Sequence, residues 1–276
     1  MGSTMVEMGI HPTAIIGDGA NIGADVQIGP YAVIGANVTI GRGTIIGPHA
    51  VIDGVTTIGE ECKIFAGASI GLAPQDLSYK DSPTGVQMGN RVTVREYATI
   101  HRASKDPMTV LGDDCFIMNY SHVAHDCKLG KHVIMANATT LAGHCEVGDY
   151  SVFAGLTVFH QFCRIGRFNM VSGITGSRLD LPPFAMSDGR PLHVRGVNMI
   201  GLRRGKIGPQ VRSAIKESYR LLYRCGHNQT QALDLIEKEV EQFDEIKELV
   251  NFIRTSKRGV ARGSMDDFDE EGGSDF

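Results

Sequence analysis

Tryptophan is absent from the 276 residues, and aromatics make up only 7% of them. A core built on large rings is thereby excluded, and packing must rest on aliphatic side chains. No apolar run approaches the ~20 residues needed to cross a bilayer, so the chain is not expected to be membrane-embedded. The opening stretch "MGSTMVEMGI" has no basic segment followed by an apolar one, which predicts no secretory signal. Val6 stands where a myristoylation motif wants Ser or Thr. A net charge of -4 argues against a general nucleic-acid binder. Six cysteines without an export signal point to reduced thiols and a cytoplasmic location.

What is abundant is glycine, with 34 residues and no collagen-like period of three. The backbone is expected to turn often and regularly. A repeat explains this. Every sixth residue from Ile10 to Ile70 is isoleucine, eleven in succession, and most are followed by Gly. The beat resumes at Met88, Val94 and Ile100, slips by five residues, and runs from Leu111 to Val171. The fifth position of each unit is small, as at Ala14, Ala20, Ala32 and Ala50.

A period of six matches neither a strand nor a helix alone. It fits a short extended segment plus a turn, with positions 1 and 5 facing inward. Gly at position 2 suits a corner with unusual φ or one where a side chain would clash. Three units close a triangular coil of 18 residues, and coils stack at roughly 4.8 Å. The expected fold is mainly β, a parallel β-helix, with inserted loops at 71–87 and 103–110. Loops thrown out of a solenoid tend to share one face and carry function.

Past Pro209 the pattern becomes helical. "PQVRSAIKESYRLLYRCG" starts with Pro and stops at Gly226, and two further helices follow with Thr230 and Asp244 as expected caps. The division reads as an N-terminal extension over 1–9, the β-helix over 10–200, an α-helical domain over 201–257, and an acidic, disordered tail over 258–276.

Coil arithmetic locates the stretch "HVAHDC", residues 122–127. Val123 and Cys127 point in, while His125 and Asp126 lie on an outer corner. Adding 18 carries Asp126 to His144 and His125 to Gly143. With the slip allowed for, His101, His122, His125, His144 and His160 occupy four successive coils on one edge, spread over about 14 Å. Cys127, Cys145 and Cys163 are also 18 apart, but they fall at the small inward position with Cys62 and Cys115, which predicts core packing and not a metal site.

A histidine followed by a carboxylate suits a general base whose tautomer is fixed at Nδ1. No Ser or Cys sits in a nucleophile setting, so direct transfer fits better than a covalent intermediate. A backbone N–H at Gly143 would hold an oxyanion. Base plus oxyanion donor describes acyl transfer to a hydroxyl or an amine. Lys216, Arg220 and Arg224 form a basic helical stripe that suits an acidic docking partner.

The repeat resembles that of the hexapeptide acyltransferases, whose coils wind left-handed. The general right-handed crossover preference alone would predict the opposite hand. "HVAHDC", "LAGH", "HQF", "QDL" and "GVNMIGLRR", in that spacing, resemble the UDP-N-acetylglucosamine O-acyltransferase family, which performs the first step of lipid A biosynthesis. The resemblance implies a homotrimer with sites between neighbouring β-helices, acyl carrier protein as donor, the 3-hydroxyl of UDP-N-acetylglucosamine as acceptor, and no metal or cofactor. It implies His125 as base, Asp126 as its partner and Gly143 as oxyanion donor. Gln75, Asp76, His122, His144, His160, Gln161, Asn198 and Arg204 would meet substrate, and Gly173 would set acyl-chain length. Ser78 departs from the lysine usual in "QDLKY". A 3-amino sugar acceptor, an acetyl-CoA donor, a later N-acyltransferase step, a zinc-dependent enzyme resembling gamma-class carbonic anhydrases, and a non-enzymatic scaffold are the alternatives.

Overall fold

A computed structural model describes residues 9–263. Among them the chain coils into a three-faced prism of parallel sheets, with nine strands on the first face, eight on the second and ten on the third. The first face starts at Ile15–Ile16, the second at Asn21–Ile22 and the third at Gln27–Ile28. Registers confirm the 18-residue coil: Ile16 pairs with Ile34, and Val123 with Leu141. Two coils are longer. Ile58 pairs with Met88 and Met88 with Leu111, so both insertions leave the edge joining the first face to the second. The ends of the expected loops belong to strands, Ser69–Leu72, Gly85–Met88 and Met108–Leu111.

The interior follows the six-residue beat. Ile28, Ile34, Ile40, Ile46 and their successors are buried, whereas Ile10, in the first coil of the described residues, is 50% exposed. Cys62, Cys115, Cys127, Cys145 and Cys163 are free thiols inside the core. Burial raises the thiols of Cys62, Cys115 and Cys163, Cys115 to about 11 and Cys163 to about 12, and the neighbouring Cys127 together with burial raises Cys145. At this inward position Ser121 and Ser151 donate to carbonyls of the next coil, Ala136 and Gly166, at 3.0 and 2.9 Å.

Of the two reasons for glycine at position 2, close approach is the operative one. A Cβ on Gly41 would sit 2.5 Å from the Gly59 carbonyl carbon of the next coil. The left-handed backbone falls at position 4 instead, as at Asp25, Asp126, His144 and Phe162.

The regular coils end at Gly176–Ser177, short of 200. An antiparallel pair, Ala185–Asp188 with His193–Val197, then finishes the third face. Four helices follow: α1 Met199–Arg204, α2 Pro209–Tyr223, α3 Gln229–Glu239 and α4 Asp244–Arg254. The caps differ from expectation. Asn228 closes a capping box with Gln231, so Thr230 lies inside α3, and Asp244 is the first residue of α4 with Phe243 as its cap. Helix α2 starts at Pro209 as read from sequence. Residues 258–263, assigned to the tail, pair back onto the body through Val260 with Asp180 and Gly263 with Val194. The remainder of that tail, and all of the N-terminal extension except Gly9, lie outside the described residues.

Candidate active site

The edge between the first and second faces gathers the histidines. His125 and Asp126 lie in the turn after the strand His122–Val123, and Gly143 and His144 lie in the same turn one coil on. The rings of His125 and His144 meet edge to face at 5.2 Å, and those of His101 and His122 at 4.8 Å. Phe162 stacks on His144 from the third coil at 4.5 Å.

Asp126 is not on an open corner. It is 2% exposed, because the loop over 102–107 folds across it. Its Oδ1 accepts backbone N–H groups from Ser104, Lys105 and Asp106 at 3.1, 3.0 and 2.7 Å. Its Oδ2 accepts the Nδ1 proton of His125 at 2.6 Å. Burial pushes this carboxyl up, but His125 and the three amides outweigh burial and hold it below its ordinary value. The bond to Asp126 occupies Nδ1 and leaves the Nε2 lone pair of His125 free to accept a proton. Gly143 lies against that Nε2 side of the ring, since a Cβ there would sit 2.5 Å from Cε1 and 2.7 Å from Nε2. The Gly143 N–H has no acceptor among the described residues, so it can face an oxyanion.

His122 bonds Thr99 through Nδ1 at 2.7 Å. Burial, then the neighbouring His101 and His125, push its imidazole down to about 4. Burial also lowers His101, whose Nδ1 is buried without a partner, and His144. These rings are neutral near pH 7. The unfolded chain protonates them near the ordinary value of ~6.5 and the folded chain only at lower pH, so proton uptake favours unfolding. Stability is expected to be complete above pH 6.5 and to fall as the pH drops toward about 4. Thermal melts of wild type and His122→Gln between pH 7 and pH 4 check this, and the variant should lose less melting temperature over that window.

Asp76 lies in the first inserted loop. Its carboxylate accepts from Ser104 Oγ at 2.6 Å and from the Ser78 N–H at 2.8 Å. These bonds, Ser104 first, hold its carboxyl far below the usual range. Gln75 beside it is exposed, as are His160 and Gln161, which lie on the same edge one coil beyond His144. His160 Nδ1 accepts from Arg258 Nη2 at 3.2 Å. A cavity of about 480 Å³ opens between Asp126 and His144 on one side and Lys128, Arg164, Lys257 and Arg258 on the other. Sequence reasoning missed Ser104, Thr99 and Arg258, which carry no repeat signal.

Three expected residues lie elsewhere within this chain. Gly173 is in the turn joining the third face to the first, a different edge. Asn198 caps α1, accepting from the Gly201 N–H and donating to the Phe168 carbonyl at 2.9 Å each, so its amide is occupied. Arg204, in the last turn of α1, is exposed. The basic stripe of α2 is partly offset, because Glu217 binds Arg220 through two hydrogen bonds.

His125, Asp126 and His144 bring one ligand atom each within 4.8 Å of one another, close enough to suggest a metal. The three amides on Asp126 Oδ1 and the imidazole N–H on Oδ2 already use its lone pairs. That donor set suits an orienting carboxylate better than a ligand.

A three-faced parallel β-helix built on six-residue repeats, with a carboxylate-bonded histidine beside a glycine on one edge, is the architecture of the hexapeptide-repeat acyltransferases. Bacterial transferase hexapeptide repeats match at 19–54 and 108–143, and domain 2 of UDP-N-acetylglucosamine O-acyltransferase matches at 180–261. The chain is 48% identical to the acyl-[acyl-carrier-protein]–UDP-N-acetylglucosamine O-acyltransferase of Thermodesulfovibrio yellowstonii over 255 residues, 92% of this chain and 99% of that one. It is 54% identical to the Aquifex aeolicus protein of the same name over 205 residues, 74% of this chain and 78% of that one. The solved UDP-N-acetylglucosamine acyltransferase from Campylobacter jejuni superposes with a TM-score of 0.87 at 37% identity, covering 92% of this chain and all of that one. The chain belongs to the UDP-N-acetylglucosamine O-acyltransferase family, and its coils wind left-handed.

Proposed function

We infer that this enzyme transfers an acyl chain, a 3-hydroxyacyl chain in the natural donor, from acyl carrier protein to the 3-hydroxyl of UDP-N-acetylglucosamine, the first step of lipid A biosynthesis. The observation that carries the chemistry is the 2.6 Å bond from His125 Nδ1 to buried Asp126, which leaves Nε2 facing the edge beside Gly143. His125 Nε2 removes the hydroxyl proton as the sugar oxygen attacks the thioester carbonyl. The C–O bond forms and the oxyanion lies at the Gly143 N–H. The C–S bond then breaks, and the imidazolium returns its proton to the leaving thiolate.

Gln75, Asp76, His122, His144, His160 and Gln161 line the acceptor side of the same edge. Gly173 sits on another edge of this chain and Arg204 on α1, and in the proposed assembly a neighbouring copy would bring them to this edge. Tyr97, Tyr120, Leu156 and Ile174 supply an apolar ridge along the Gly173 edge, with Ile174 68% exposed. That ridge supports a homotrimer in which a neighbour's Gly173 bounds the acyl chain and its Arg204 meets phosphate, with Asn198 fixing the helix that carries Arg204. None of the helices among the described residues is long and apolar enough to cross a membrane, which is consistent with a cytoplasmic site of action.

The test is a transfer assay with UDP-N-acetylglucosamine and carrier thioesters of several lengths, with acetyl-CoA beside them. Long acyl-carrier thioesters should give the O-acyl product and acetyl-CoA should give none. Turnover with acetyl-CoA alone would reject this donor assignment.

A further inference from the structure

The cradle of Asp126 is built by a loop, not by the repeat. Ser104, Lys105 and Asp106 aim three successive backbone N–H groups at its carboxylate. At its base this loop is fixed by Ala103, whose N–H donates to the Gly85 carbonyl at 3.2 Å. On the far side Asp106 pairs with Lys128 at 2.9 Å. Between these ties one side chain reaches the other inserted loop: Ser104 Oγ donates to Asp76 Oδ2 at 2.6 Å. Asp76 is itself braced by the N–H and hydroxyl of Ser78, each at 2.8 Å from Oδ1. A continuous path of hydrogen bonds runs from Asp76 through Ser104 and Asp126 to the base.

We propose that Ser104 is a positioning residue for acyl transfer: its hydroxyl, anchored on Asp76, fixes the amide cradle that holds Asp126 and, through it, the Nδ1–H of His125. The proposal rests on the reading of His125 as general base. A buried carboxylate keeps its place only as well as the groups bonded to it. An imidazole displaced by about 1 Å from the line of proton transfer loses on the order of 10²-fold in rate. The cradle consists of loop amides outside the pairing of the repeat, so the side chain that ties Ser104 to Asp76 bears directly on the aim of the base. The same tie links the loop bearing Gln75 and Asp76 to the reacting histidine.

Ser104→Ala is expected to lower kcat about tenfold, with both KM values within about twofold, an intermediate loss because the three amides remain present. Ser104→Thr keeps the hydroxyl and should hold kcat within about threefold of wild type; Ser104→Val, of the same shape, should match the alanine variant. In an Asp126→Asn background the alanine change should cost less than about twofold more, because the group it positions no longer orients the imidazole. Should Ser104→Ala fail to fold, the threonine and valine variants carry the comparison. The proposal is overturned by an undiminished tenfold loss in the Asp126→Asn background, by a loss confined to KM, or by equal activity of the threonine and valine variants. Failure of the base assignment reads out separately, as retained activity in His125→Ala.

Discussion

His125→Ala is expected to lower kcat on the order of 10³-fold while the melting temperature stays within a few degrees of wild type. The rate effect follows from geometry. Asp126 holds Nδ1 at 2.6 Å, so Nε2 is the basic atom, and none of the other imidazoles has that arrangement. His144 approaches the same Asp126 oxygen only at 3.4 Å through its own Nε2. His122 is engaged with Thr99 and is pushed down to about 4, which makes it a poor proton acceptor. Stability changes little because His125 lies on the rim of the prism, and its removal leaves Asp126 with its three amide donors. Initial rates with acyl-carrier donor, together with a thermal melt, check both halves. A kcat within about tenfold of wild type would remove His125 from the chemistry.

Gly143→Ala is expected to reduce kcat on the order of 10²-fold. The backbone at this glycine is not in the left-handed region, so alanine meets no conformational penalty there. The whole effect is the methyl group. It would lie 2.5 Å from Cε1, 2.7 Å from Nε2 and 3.1 Å from Nδ1 of His125, inside contact distance along one side of the ring. The ring is held at Nδ1 by Asp126 and flanked by His144, so it tilts away from the acceptor or breaks the bond that orients it. The added methyl also crowds the amide assigned to the oxyanion. Steady-state kinetics should show the loss in kcat, with overpacking costing about 1–3 kcal/mol in the melt. Activity within about fivefold of wild type would mean that neither the ring position nor the amide matters.

The repeat made the prism readable from sequence because its rule is local and additive. Each isoleucine at position 1 and each small residue at position 5 repeats the same inward placement, so register at Ile28 predicts register at Ile100, and register at Leu111 predicts register at Phe153. Inward Cys127 and Cys145, and the edge holding His125 and His144, followed from counting alone. What counting missed is aperiodic. The loop over 102–107 buries Asp126, and nothing in the spacing of its residues marks Ser104 as a partner of Asp76. The cap of α3 falls on Asn228 because its side chain and Gln231 complete a reciprocal pair, a competition between neighbouring candidates that Thr230 loses. Gly173, Asn198 and Arg204 came from a motif resemblance that groups residues by role. Within this chain Gly173 lies on another edge and Asn198 and Arg204 at α1, because a motif carries no information on where the fold puts its residues.

Direct transfer is the step on which these assignments depend. Five of the six cysteines are buried, four with clearly raised thiols, and Cys225 lies beyond α2, away from the histidine edge. The decisive measurement is the intact mass of the enzyme mixed with acyl-carrier donor alone, quenched over several turnover times, and then again after addition of UDP-N-acetylglucosamine. An unmodified chain at every time point, with the acyl group found only on the sugar, is the predicted result. An acylated chain that forms before the acceptor is added and decays at the rate of kcat would contradict it.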